Sequence, residues 1–264
     1  MTAPFAVLID ALSFLASAVL IGRIPIREPP VAANDEAAPT LLRRAGQGLA
    51  FVISHPVLRA SLGCATTINF FTFVSGSVMV LFASRGLGLS AGVIGLAFGV
   101  GATGALLGAV IAPRISRLIG VGRSIAVGAV LFPAPIAIAA TADGPFWVRA
   151  GALAAAEFLS GIGVMLFDVN LNSLQTTVIP DGMRSRVAGA FATINYGIRP
   201  VGAIVGCLLG TAVGLRATLL IAATGGALSL LWLLPSPIPR IRSLSPTNPP
   251  PAAGSAAETI PPDR

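Results

Sequence analysis

Apolar runs of about twenty residues recur along the chain, separated by polar stretches that hold most of its charge. A helix crossing the roughly 30 Å hydrocarbon core of a bilayer needs about 20 apolar residues, at about 1.5 Å rise each. Seven stretches approach that length: Pro4 to Gly22, Ala60 to Phe82, Gly92 to Ala112, Ser124 to Thr141, Phe146 to Phe167, Val187 to Leu209 and Leu215 to Pro235. The connections between the last six are short, which predicts compact helix hairpins. The pattern therefore predicts an all-α integral membrane protein, a bundle of about seven transmembrane helices.

The remaining segments divide the chain further. Residues 1–22 form the first span, 23–59 a loop, 60–235 a six-helix unit and 236–264 a tail. Within the loop, Leu41, Leu42, Ala45, Leu49, Val52 and Ile53 recur near helical spacing, with Arg43 and Arg44 on the other face. That spacing predicts an amphipathic helix at the inner membrane surface, or a short solvated linker helix. The tail is rich in Pro, Ala and Ser and is expected to be disordered. The first run lacks the basic start of a signal peptide, since Met1 to Pro4 carry no charge while Arg23 and Arg27 follow it. A cleavage site at Val31-Ala32-Ala33 is the alternative.

Composition agrees with lipid as the solvent. Charged residues make up 10% of the chain and hydrophobic ones 55%, too little polar surface for a water-facing shell. All of the basic excess is arginine, and the sequence isoelectric point is about 11.3. Nucleic acid binding would need those arginines on one footprint, whereas here they sit singly or in pairs between apolar runs. Their placement instead follows the positive-inside rule. With the N-terminus outside, the inner segments hold Arg23, Arg27, Arg43, Arg44, Arg59, Arg114, Arg117, Arg123, Arg184, Arg186, Arg240, Arg242 and Arg264. The outer segments hold only Arg85, Arg149 and Arg216. This predicts a multi-pass protein of the cell (inner) membrane with a cytoplasmic C-terminus. Cys64 and Cys207 lie inside apolar runs and offer neither metal spacing nor a disulfide framework. His55 stands alone, and no phosphate-binding loop with a lysine is present, so neither an enzyme, a metal site nor a cofactor is expected.

Two features inside the spans carry candidate function. Glycines recur in the third span at Gly95, Gly99, Gly101, Gly104 and Gly108, and around the sixth at Gly202, Gly206, Gly210 and Gly214. Small residues let helix backbones approach closely in lipid, so these are expected to pack helices. Ionisable residues within or near spans are Asp10, Glu157, Asp168 and Arg199. Each costs about 3 kcal/mol at the bilayer centre and needs a cavity or a partner. Glu157 and Arg199 fall near mid-depth on consecutive antiparallel helices and are candidates to face one polar cavity, and to pair there. Asp168, Asn170, Asn172 and Gln175 make a polar end to the fifth span that either lines a vestibule or caps a helix. Pro200 is expected to kink the sixth span.

Several stretches resemble the major facilitator superfamily, in the drug and siderophore efflux branch with macrolide-efflux and enterobactin-exporter relatives. Ile9-Asp10-Ala11-Leu12-Ser13-Phe14-Leu15 is similar to that branch's sixth helix. Gln47-Gly48-Leu49-Ala50-Phe51 and His55-Pro56-Val57-Leu58-Arg59 resemble the segment leading into its seventh. Gln175, Ile179-Pro180-Asp181 and Arg184-Ser185-Arg186-Val187 resemble its loop between helices ten and eleven, with Ser185 where glycine is usual. Arg114, Arg117, Gly120, Gly122 and Arg123 resemble a degenerate copy of the superfamily's signature cytoplasmic loop, lacking its acidic residue near Pro113. The resemblance covers about Ala3 to Leu234 and implies helices six to twelve, with the N-terminal half missing. It further implies two six-helix halves that rock about a midplane site, with the third and sixth spans facing the other half.

The resulting expectation is a partial efflux permease, an antiporter for drug- or siderophore-class small molecules that is proton-coupled in its intact form. Its partners would be the lipid bilayer, a small-molecule substrate and a missing N-terminal half or a second copy. The alternative is a non-transporting membrane protein, either a gene remnant or a helper that docks on another half-transporter.

Overall fold

The computed structural model describes residues 3–23 and 41–243. The chain falls into two compact units, Met1–Pro39 and Thr40–Arg264. In the first unit the apolar run folds as α1 (Ala3–Gly22), of which Asp10–Gly22 is a short apolar helix.

The described residues of the second unit are mostly helical. Its helices are α2 (Leu41–Ser54), α3 (Pro56–Leu81), α4 (Ala91–Ile119), α5 (Val121–Leu131), α6 (Ile136–Thr141), α7 (Phe146–Val178), α8 (Arg184–Ala212), α9 (Leu215–Ala227) and α10 (Leu230–Leu233). Among the described residues six segments are long and apolar enough to cross a membrane: Pro56–Gly86, Ala91–Ile119, Val121–Thr141, Phe146–Val178, Asp181–Ala212 and Leu215–Leu233. They match the last six expected spans. The chain is thus an all-helical membrane bundle.

Helix ends differ from the apolar runs where backbone chemistry, not hydropathy, decides them. Pro56 starts α3 four residues before the apolar run because proline is preorganised for a first helical turn. The α7 helix continues 11 residues past Phe167, about 16 Å further, because Asn, Gln and Thr do not break a helix that is already nucleated. The fourth span is broken between α5 and α6, where Pro133 and Pro135 each remove a backbone donor.

One end of the unit gathers the arginine-bearing connections α2–α3, α4–α5 and α7–α8 with the residues after α10; the α3–α4, α6–α7 and α8–α9 connections lie at the other end. The backbone at Gly120 has φ +93°, a left-handed region that favours glycine at the α4–α5 corner. A Cβ at neighbouring Gly122 would collide with the Ile238 carbonyl. The amide of Gly122 donates to the Ile241 carbonyl at 3.0 Å, and Ile238 is fully buried. The start of the expected tail is therefore structured, since residues 238–242 pack on α5; residues beyond 243 lie outside the described set. Helix α2 docks on α8 and α3 through fully buried Val52, with Gly48 against the Arg186 backbone.

The glycines resolve into two groups. A Cβ at Gly104 or Gly108 would meet the Phe158 or Ile162 backbone of α7. A Cβ at Gly202 would lie 2.5 Å from the Phe70 carbonyl oxygen, and Gly206 and Gly210 meet Val74 and Val78 of α3. These glycines seal α4 to α7 and α8 to α3 within this chain, although the resemblance implied that both spans face the other half. A Cβ at Gly95 or Gly99 would meet nothing within 4 Å, so those two pack no helix here. Gly214 is a corner residue, with φ +87°, ahead of α9.

Candidate functional site

With α8 sealed to α3 and α7 sealed to α4, a cavity of about 550 Å³ is left between α3, α7 and α8. It runs from mid-depth toward the arginine-bearing end. Each helix contributes one face at helical spacing: Asn69, Thr72 and Phe73 from α3; Asp168, Asn172 and Gln175 from α7; Asn195, Tyr196 and Arg199 from α8.

Arg199 is held from several directions. Its Nε donates to Asn69 Oδ1 at 3.3 Å. Asn69 Nδ2 in turn donates to Asn195 Oδ1 at 3.2 Å and to the Ala65 carbonyl at 3.0 Å. Asn195 Nδ2 donates to the Phe191 carbonyl at 3.0 Å. The guanidinium carbon lies 4.3 Å from the Tyr196 ring centroid and 5.2 Å from that of Phe73, within cation–π range. Gly202 makes this geometry reachable, because three residues beyond Arg199 it brings the two backbones together where a larger residue would hold them apart.

Glu157 does not share this cavity. It lines a smaller one of about 200 Å³, with Ser75, Gly76, Met79 and Ser160, whose Oγ is buried and has no hydrogen-bond partner. Thr72 and Phe132 line both cavities. Phe132 reaches this position because it begins the proline break between α5 and α6. The expected Glu157–Arg199 pair is therefore not formed, and the acid that shares a cavity with Arg199 is Asp168. Eleven residues separate Asp168 from Glu157 on α7, about 16 Å along the helix axis. The ion pairs among the described residues are Arg184–Asp181 at 2.9 Å and Arg216–Asp143 at 2.8 Å. Asp10 lies on α1, in the other unit.

The polar end of the fifth span divides by helical face. Asp168, Asn172 and Gln175 line the cavity, whereas Asn170 is buried, faces Ser116 of α4 and donates to the Leu166 carbonyl at 2.7 Å. The loop residues are placed structurally. Pro180 precedes a single 3-10 turn begun by Asp181, whose carboxylate pairs with Arg184, and Arg184 also donates to the Thr176 carbonyl at 3.3 Å. Arg114, Arg117 and Arg123 are exposed around the α4–α5 corner, and Arg186 is half-buried beside Met183. The residues not anticipated from sequence are Asn69, Phe73, Asn195 and Tyr196. Their signal was present: Asn69 is a lone amide in an apolar run, and Asn195 and Tyr196 precede Arg199 by four and three residues.

At the opposite end, Arg216 donates to both Asp143 carboxylate oxygens, at 3.0 and 2.8 Å, tying α9 to the α6–α7 loop. This hydrogen-bonded guanidinium holds the Asp143 carboxyl below its ordinary value.

The Major Facilitator Superfamily profile matches residues 62–259. No curated protein and no solved structure gives a significant match. That match covers most of the chain, and the bundle built from it is membrane-spanning in length and composition: the chain is a multi-pass membrane transport protein belonging to the Major Facilitator Superfamily.

Proposed function

We propose that the chain is the substrate-handling part of a small-molecule efflux permease, an antiporter of the drug or siderophore class driven by proton entry. The observation that carries this reading is the cavity itself. Three membrane-spanning helices aim a guanidinium, a carboxylate and four side-chain amides into one space. Ionisable groups at such depth are costly, and where they occur they mark substrate or ion pathways. Arg199 and Asp168 then contact substrate. Glu157, in its own cavity behind Thr72 and Phe132, carries the proton, being the one carboxyl that lines that cavity. Asp10 is assigned to the same pathway from the sequence alone. The positive-inside rule orients the arginine-bearing end to the cytoplasm of the cell membrane, with the N-terminus outside.

A second reading, a helper that docks on another half-transporter or on a second copy, is favoured by Gly95 and Gly99. They leave a smooth strip of α4 uncovered in this chain. Flux of fluorescent drug-like probes, anionic and cationic, or of a siderophore into vesicles, with and without an imposed pH gradient, separates the two. Gradient-dependent flux from the purified chain alone supports the permease. Absence of flux alone, restored by co-reconstitution with a second half, supports the helper.

A further inference from the structure

We propose that the cavity selects a small molecule bearing a single anionic group on an aromatic or apolar body, with Arg199 as the anion-binding residue. The inference rests on the reading of this cavity as the substrate path. Arg199 is the only basic residue among those lining it. Among the described residues no carboxylate neutralises it, since the ion pairs present involve Arg184 and Arg216.

Its geometry is preset for a ligand. Asn69 fixes the Nε edge, and Tyr196 and Phe73 pack against the guanidinium. Arginine carries five N–H donors in a rigid fork, and only Nε finds an acceptor among the described residues. The remaining donors suit the two parallel hydrogen bonds that a carboxylate or phosphoryl group accepts. An uncompensated guanidinium at this depth gains most from a ligand that brings the missing negative charge.

The other walls set the rest of the molecule. Phe73, Phe132 and Tyr196 offer ring surface for a flat apolar body. Asp168, on the α7 wall, repels a second anionic group, which limits the ligand to one. The cavity of about 550 Å³ lies in the ordinary range for small-molecule sites.

Three probes of one shape decide the matter: 1-naphthoate, 1-naphthamide and 1-naphthylmethylamine. Equilibrium binding to the full chain in neutral phosphatidylcholine nanodiscs is measured, with empty nanodiscs subtracted. Naphthoate is expected to bind about ten-fold or more tighter than the amide at neutral pH. Arg199→Gln is expected to remove that difference. Arg199→Lys keeps the charge but loses the fork, and is expected to lose most of the difference; it serves if Arg199→Gln fails to fold by circular dichroism. Equal binding of naphthoate and amide, preference for the amine, retention of no probe, or an undiminished preference in a folded Arg199 variant would each overturn the inference. Failure of the permease reading looks different: Arg199-dependent naphthoate binding would persist with no gradient-driven flux.

Discussion

Gly108 and Gly99 sit on the same helix yet are predicted to respond oppositely to one added methyl group. At Gly108 a Cβ would lie 2.9 Å from Ile162 Cα, 2.9 Å from Ile162 O and 3.0 Å from Met165 Cβ. Ordinary contact begins at 3.4 Å, so three atoms are each short by 0.4 to 0.5 Å, and two of them are backbone that cannot rotate away. Relief requires α4 and α7 to part along a contact that runs from Gly101 to Gly108. Overpacking of this kind costs about 1–3 kcal/mol. At Gly99 the added methyl meets nothing within 4 Å. Both substitutions gain the same helix propensity, about 1 kcal/mol, which therefore cancels between them. Gly108→Ala should be less stable than Gly99→Ala by about 1–3 kcal/mol. Unfolding of the purified chain in mixed micelles by added sodium dodecyl sulfate, followed by circular dichroism, measures that difference. Equal midpoints, or a lower midpoint for Gly99→Ala, would refute the assignment of α4–α7 packing to Gly108.

Three further outcomes follow from the same geometry. Glu157→Gln keeps the shape of its cavity and removes the exchangeable charge; it should abolish gradient-driven flux while leaving downhill exchange of substrate, read in vesicles with and without a pH gradient. Asp143→Asn should lower the thermal midpoint slightly near pH 7, the effect being small because both members of its pair with Arg216 are solvent-exposed. Because Arg216 lowers the folded value of the Asp143 carboxyl, the stabilisation is present above the ordinary value of 3.8 and is lost as pH falls through the lowered one; variant and wild type should converge in acid. Pro200→Ala supplies a donor for the Tyr196 carbonyl and should stiffen α8, slowing flux several-fold in a vesicle assay while the helical spectrum and substrate affinity are unchanged.

The membrane bundle was legible because a bilayer reads composition: six of the seven apolar runs became helical segments of membrane-spanning length, and most misplacements lie at their ends. Those ends depend on backbone donors and turns. Pro56 extends a helix forward, Pro133 and Pro135 break one, and Gly120 with Gly122 folds the α4–α5 corner onto residues 238–242. Depth along each helix is also readable in sequence, and it places Glu157 and Arg199 near the same level. Depth says nothing of how each helix is rotated about its axis, and rotation decides what shares a cavity. Asp168, Asn172 and Gln175 are spaced by four and three residues, while Asn170 falls on another face; that spacing alone separates the cavity wall from the α4 seam.

The same distinction governs how the two ionisable sites can communicate. Glu157 and Arg199 are not partners, so no direct charge exchange links them. What they share is a wall made of Thr72 and Phe132. Thr72 lies on α3, one residue before the Phe73 ring that packs on Arg199, and Phe132 stands at the proline break where α5 lacks a full set of backbone hydrogen bonds. A change of charge at Glu157 would therefore reach Arg199 through movement of that wall. Phe132→Ala should merge the two cavities and weaken the dependence of substrate binding on Glu157. If Glu157→Gln shifts binding equally with and without Phe132, as a double-mutant cycle of affinities would reveal, the wall is not the link.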